Sequence, residues 1–179
     1  MPAAPDALTT DRLVLTRVSP SDRDFLARLW ADPRVAATLG GAPDDAAVDA
    51  RIARLFGRWA EVGFGTWVLR TPAGPVGYCG LAPTAVGGPG GVELLYAQLP
   101  DAWGNGYVTE AARAILAVAF DPVAGLGLPE VVAFTLPHNT GSRALMERLG
   151  FAYVGEVEHA GLAHVLYRLA ASTHPAPAP

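Results

Sequence analysis

The feature that most constrains this chain is a change of hydrophobic period at one junction. "VELLYAQL" (92–99) is an apolar, strand-like run. Five residues later come Gly104 and Gly106, and from Tyr107 the apolar residues fall at helical spacing: Tyr107, Ala111, Ile115 and Val118. A second buried strand, "PEVVAFTL" (129–136), follows that helix. Strand, helix and strand in this order form a crossover unit, which places two parallel strands side by side.

The remaining segments fit around it. "RLVLTRV" (12–18) alternates as a strand, and "SPSDRDFLARLWA" (19–31) is a capped helix with Phe25, Leu26, Leu29 and Trp30 on one face. In 42–63, Val48, Ile52, Leu55, Phe56 and Trp59 form a helical stripe that Gly63 ends. "GTWVLRT" (65–71) and "PVGYCGLAPT" (75–84) are strands about a short turn. "PHNTGSRALMERLG" (137–150) is a helix, and 151–158 with 162–169 close the chain as a strand pair. The order β-α-α-β-β-β-α-β-α-β-β predicts an α+β fold: a mixed, mostly antiparallel sheet flanked by helices. We read 1–8 as a flexible N-terminus, 9–170 as a single domain and 171–179 as a Pro/Ala-rich disordered tail.

Composition excludes several functions. The 179 residues are 51% apolar, enough for a substantial core. The net charge is −4, and the 13 basic residues are all arginine, dispersed along the chain. A nucleic-acid partner, which needs clustered cations, is not expected. Cys79 lies in the apolar run "PVGYCGL" and reads as a small buried hydrophobe. No apolar run reaches membrane-spanning length, and the first residues lack the pattern of a secretory signal, so a cytoplasmic protein without a membrane partner is expected. No ligand cluster points to a metal.

The glycines at 104 and 106 fit either a tight turn or a backbone approach to an anion at a helix N-terminus. A dinucleotide fingerprint fails because Thr109 stands where its third small residue belongs, and a P-loop fails because the chain has no lysine.

The stretch Trp103, Gly104, Asn105, Gly106, Tyr107, Val108 resembles the acyl-CoA pyrophosphate loop of the GNAT superfamily of N-acetyltransferases. Gly106 stands at its central glycine, Trp103 where Gln or Arg is usual, and Val108 where Gly or Ala is usual. "TDRLVLTRV", "GFGTWVLR…GPVGYCGL", "VELLYAQLPDAWGNGYVTEAARAILAVAF" and "PHNTGSRALMERLGFAYVGE" are similar, in order, to the RimJ/RimL-like branch that acetylates protein N-termini. The likeness covers roughly residues 9 to 169.

The resemblance implies a GNAT acyl-CoA N-acyltransferase fold and direct transfer of acetyl from acetyl-CoA to a primary amine, on a protein N-terminus or a small molecule. It implies a phosphate cradle over Trp103 to Thr109, including Thr109, and a backbone carbonyl donor within Tyr96, Ala97, Gln98 and Leu99. It puts Glu93 as base, with His138 and His164 as rivals. Met146 stands where many relatives carry a tyrosine, which leaves Ser142 as the acid toward the CoA sulfur, or water as the proton source. Asn139 is implied to contact the pantetheine arm or to cap the helix. Arg12 reads as structural, and Arg143 as either a contact to a CoA phosphate or a solvated helix charge. The acceptor pocket is expected near residues 30 to 45 and the hairpin around Glu158 to Ala163. Homodimers are implied as an option in this branch. The alternative left open is a non-catalytic acyl-CoA-binding or regulatory module on the same scaffold.

Overall fold

A computed structural model describes residues 3–173. Eight strands form one sheet in the order β1-β2-β3-β4-β5-β6-β8-β7. These are β1 (Ala7–Thr9), β2 (Val14–Arg17), β3 (Thr66–Thr71), β4 (Gly74–Thr84), β5 (Gly91–Gln98), β6 (Glu130–Thr135), β7 (Ala152–His159) and β8 (Leu162–Ala170). All neighbours are antiparallel except β5 and β6. The crossover between those two is α4 (Tyr107–Phe120). The remaining helices are α1 (Arg23–Ala31), α2 (Pro33–Ala36), α3 (Asp45–Val62) and α5 (Thr140–Arg148).

Strand alternation sorts side chains into two cores. On one face, α4 and α5 bury Ala111, Ile115, Leu116 and Met146 against Leu69, Cys79, Leu81, Leu94 and Val131. On the other, α1 and α3 bury Leu26, Leu29, Trp30, Ile52 and Leu55 against Val68, Tyr78 and Ala97. β5 serves both cores: Leu94 and Tyr96 face α4, whereas Leu95 and Ala97 face α3. Cys79 is fully buried, as expected of a small hydrophobe, and burial pushes its thiol pKa upward. Trp30, Trp59 and Trp67 are all core residues.

The first residues depart from the expected flexible N-terminus. Ala7 and Leu8 pair with Thr16 and Leu15 in β1, and Ala4 N–H donates to Gly63 O. The cause is packing: Ala4 is buried and Leu8 packs on the larger core. The strand expected from 12 begins at Val14, because Arg12 and Leu13 belong to a loop tied to α4. The helix expected over 19–31 opens as a 3-10 turn, Pro20–Asp22, with Ser19 and Asp22 as a capping box. Of the expected tail, Ala171–Thr173 forms a 3-10 turn, and 174–179 lies outside the described residues.

Candidate active site

β5 and β6 touch in register only at Glu93 and Val132. Beyond Glu93 the two strands diverge while β5 stays paired with β4 as far as Gln98. The Leu99 N–H turns to β4 and donates to Val76 O, so the alternate backbone groups of Tyr96 and Gln98 face a gap with no strand partner. A cleft of about 620 Å³ opens there. Tyr96, Ala97, Gln98, Trp103, Gly104, Gly106, Val108, Thr109, Asn139 and Ser142 all line it. Sequence reasoning expected each of these at the site, and the fold brings them together. Asn105 and Tyr107 complete the loop between them, and Leu99 packs toward the α3-side core.

The loop is held at both ends. Trp103 Nε1 donates to Gln98 O at 2.9 Å, and Gln98 Nε2 donates to Ala102 O. Asn105 Nδ2 also donates to Ala102 O, at 3.0 Å. Gly104 and Gly106 have φ of +79° and +76°, the left-handed region where a side chain is strained. A Cβ at Gly104 would meet nothing within 4 Å. Conformation, not lack of space, is therefore what favours glycine at both positions, since a Cβ at Gly106 would meet only Arg12 Nη2 at 3.6 Å. No side chain caps α4 at Gly106, and Glu110 N–H makes the first helical bond back to Gly106 O. The N–H groups of Tyr107, Val108 and Thr109 precede it and have no acceptor within the helix. They carry its positive dipole end.

Arg12 locks this loop from the side. Its Nη1 donates to Asn105 O at 2.9 Å and its Nε to Glu110 Oε2 at 2.7 Å. The Arg12 backbone N–H and the Thr10 hydroxyl both donate to Glu110 Oε1. Burial pushes the Glu110 carboxyl up, but these donors outweigh it and hold its pKa below the usual range. The structural role read for Arg12 is thus a clamp joining Thr10, the glycine loop and the first turn of α4.

Glu93 and Ser142 lie on opposite faces of β5. Glu93 projects toward α3, where burial pushes its pKa up to about 7 against the opposing pull of Arg58. Ser142 sits in the first turn of α5 on the other face, its Oγ 2.7 Å from the Tyr96 hydroxyl. Burial raises the Tyr96 phenol pKa, and the bond to Ser142 draws it back partway. Asn139 caps α5: its Oδ1 accepts from Ser142 N at 3.2 Å and its Nδ2 donates to Thr135 Oγ1 at 3.0 Å. The cap fixes where Ser142 stands.

Other candidates separate. His138 lines the cleft near α5, away from the Glu93 face. The His164 ring is bonded through Nδ1 to Leu162 O within the closing hairpin. Arg143, expected toward a phosphate, instead turns back into the fold: its Nε donates to the Tyr167 hydroxyl and its Nη1 to Pro137 O. Arg148, one turn further, lines the cleft and is exposed. Sequence reasoning missed it, and missed the Tyr96 hydroxyl. The signal for Tyr96 was present, because alternation sets it opposite to Glu93. Val35 and Thr38 reach the cleft from the α2 region, within the span expected for the acceptor pocket.

A family model described as an acetyltransferase (GNAT) domain matches residues 12–152. The chain belongs to the GNAT acetyltransferase family. It is 32% identical over 160 residues to the FsC-acetyl coenzyme A-N(2)-transacetylase of Aspergillus fumigatus, covering 84% of this chain and 67% of that one. An acetyltransferase from Agrobacterium tumefaciens shares the fold with a TM-score of 0.80 and 25% identity, over 94% of this chain and 96% of the other. RimL, the ribosomal L7/L12 alpha-N-protein acetyltransferase solved with coenzyme A, superposes with a TM-score of 0.75 at 12% identity, over 91% and 96%. At that identity the likeness is one of fold, so the family is established and its RimJ/RimL branch is not. The protein is thus a GNAT acetyltransferase built on a mixed eight-stranded sheet. No helix among the described residues is long and apolar enough to cross a membrane.

Proposed function

We propose that this GNAT enzyme transfers acetyl from acetyl-CoA directly to a primary amine, with Glu93 as base and Ser142, backed by Tyr96, as acid. The observation that carries the proposal is the placement of these groups. A carboxylate with pKa near 7 stands on one face of β5, at its pairing with β6 and outside the cleft lining, and a Ser–Tyr hydroxyl pair stands in the cleft on the other face, beside the stretch of β5 that has no β6 partner.

Each group has a defined task. The N–H groups of Tyr107 to Thr109, with glycines at 104 and 106 leaving the backbone uncovered, suit a pyrophosphate, and Arg148 adds a cation at the cleft wall. The Leu99 N–H is bonded to Val76 O, so the β5 amides that alternate with it, those of Tyr96 and Gln98, face the gap and suit the thioester oxygen, which gains negative charge as the amine attacks. Glu93, half ionised near neutrality, can take the amine proton. The Ser142 hydroxyl can pass a proton to the departing sulfur, and the Tyr96 hydroxyl can replace it. No side chain in the cleft is set up as a covalent nucleophile, which favours a ternary complex over an acetyl-enzyme. A relative named for N(2) transacetylation supports nitrogen as the acceptor atom. The acceptor class is a protein N-terminal amine, as in the RimJ/RimL branch, or a small-molecule amine.

The test is release of the CoA thiol from acetyl-CoA in the presence of peptide and small-molecule amines. Amine-dependent thiol release with one acetyl added to nitrogen is the expected result. Tight acetyl-CoA binding without turnover for any amine would overturn it in favour of a non-catalytic acyl-CoA-binding module.

A further inference from the structure

Helix α3 carries Arg51, Arg54 and Arg58 at spacings of three and four, which places them along one stripe. Arg51 and Arg58 are half-buried, and none of the three forms an ion pair among the described residues. This is costly. Partial burial and the neighbouring Arg54 both disfavour the Arg58 charge, while Glu93 and Glu61 attract it only from beyond ion-pair distance, so a guanidinium there still lacks an anion in direct contact. The chain has more acidic residues than basic ones, so carboxylates were available for pairing.

Their position shows what they face. The Arg51 guanidinium lies over the Trp30 ring, 5.5 Å from its centre, and Trp30 Nε1 donates to the Tyr78 hydroxyl at 3.4 Å. Tyr78, on β4, pairs with Ala97 across the edge of β5 that faces away from the gap, and its ring packs in the same α3-side core as Ala97. Glu93 stands four residues upstream on the same face, opposite Ala82, and feels the charge of Arg58 without a direct ion pair. Two helical turns from Arg51 to Arg58 span roughly 10.5 Å, and four strand residues span roughly 13 Å. Arg58 thus lies toward Glu93, and Arg51 lies toward Ala97 by way of Trp30 and Tyr78, so the arginine row borders the α3-covered face on which the base stands.

We propose that this row is the acceptor's anion subsite, and that the acceptor is an amine that also carries a carboxylate, of the amino-acid class. The assignment rests on the acetyltransferase reading above and narrows its acceptor. A planar guanidinium matches a carboxylate through two parallel hydrogen bonds. Binding the carboxylate there leaves the amine of the same molecule free to turn toward Glu93. The ammonium loses one proton to solvent through Glu93 and attacks as the free amine. A C–N bond forms, the C–S bond breaks, and the second amine proton is matched by the one the sulfur gains. A polyamine or a lysine-rich peptide would instead meet three like charges on α3.

The experiment compares free α- and ω-amino acids with their own carboxamides and with neutral tetrapeptides, read as CoA thiol release at saturating acetyl-CoA. The free acids should exceed their amides at least tenfold in kcat/KM. Arg51→Gln and Arg58→Gln should each collapse that ratio toward one by raising KM for the acid alone, and Arg51→Lys should restore part of it. Acetyl-CoA affinity, measured by calorimetry on the same variants, should stay at the wild-type value, which separates this effect from misfolding. Equal or better turnover of amides or peptides, or no turnover of any free acid, overturns the assignment. Failure of the wild-type protein to bind acetyl-CoA overturns the parent reading, and this one with it.

Discussion

Glu93 is the residue whose environment differs most from what its sequence position suggests. On an alternating strand a carboxylate is ordinarily solvated, yet the packing of α3 removes enough water to bring its pKa to about 7. As a base it must be ionised, so kcat/KM should rise tenfold per pH unit below about 7 and level off above. Glu93→Gln should remove that limb and lower the plateau by about 100-fold; an unchanged profile would remove Glu93 from the role. Stability should respond with the opposite sense. Between the ordinary carboxylate range and about pH 7 the folded protein holds more protons on Glu93 than the unfolded chain, so its stability falls as pH rises through that window. Glu93→Gln should flatten this fall in thermal melts. At Ser142, replacement by Ala should lower kcat by about tenfold, leaving Tyr96 as donor, while Tyr96→Phe alone should cost less. The double variant should lose about 100-fold, more than either single change.

At the scale of elements, the clamp from β2's entry loop to α4 governs the loop geometry. Arg12→Ala removes the donor to Asn105 O and the partner of Glu110 together. The expected result is a KM for acetyl-CoA raised about tenfold, about 1.4 kcal/mol, with kcat nearly unchanged and partial rescue by Arg12→Lys. A fall in kcat with constant KM would contradict the clamp. The same elements show what was legible beforehand. The long periodic segments α3, α4 and β5 were readable because their apolar stripes run for several turns or pleats. β1 was not: a three-residue strand with one large apolar side chain, Leu8, has no period to detect, and it exists because that side chain packs on the core. Helix α2 escaped for the same reason, being four residues initiated by the Asp32 cap and Pro33. Likewise the glycine loop and Asn139–Ser142 could be read as motifs. Arg148 could not, since nothing local distinguishes an exposed helix arginine aimed at a cleft from one aimed at solvent.

Across the whole molecule, the site follows from a single topological fact, the parallel junction of two otherwise antiparallel half-sheets. Divergence at Glu93 and Val132 exposes β5 backbone, and α4 enters the same gap with its unpaired N–H groups. Alternation then assigns Glu93 to one face and Tyr96 to the other, so the two proton-handling groups need no loop to bring them near the edge. Motif reading could name most of these residues, but not that Ser142 stands on the Tyr96 side of β5, because that depends on which face α5 covers. The measurement that tests this most directly is acetyl-CoA binding by titration calorimetry, wild type against Gly106→Glu. A side chain there is strained by the left-handed backbone and places a carboxylate in the cradle. Saturable binding by wild type, lost by at least 100-fold in a variant that still melts cooperatively, is the predicted result. Equal affinity in the two proteins would contradict the cradle and the acetyl-CoA site built on it.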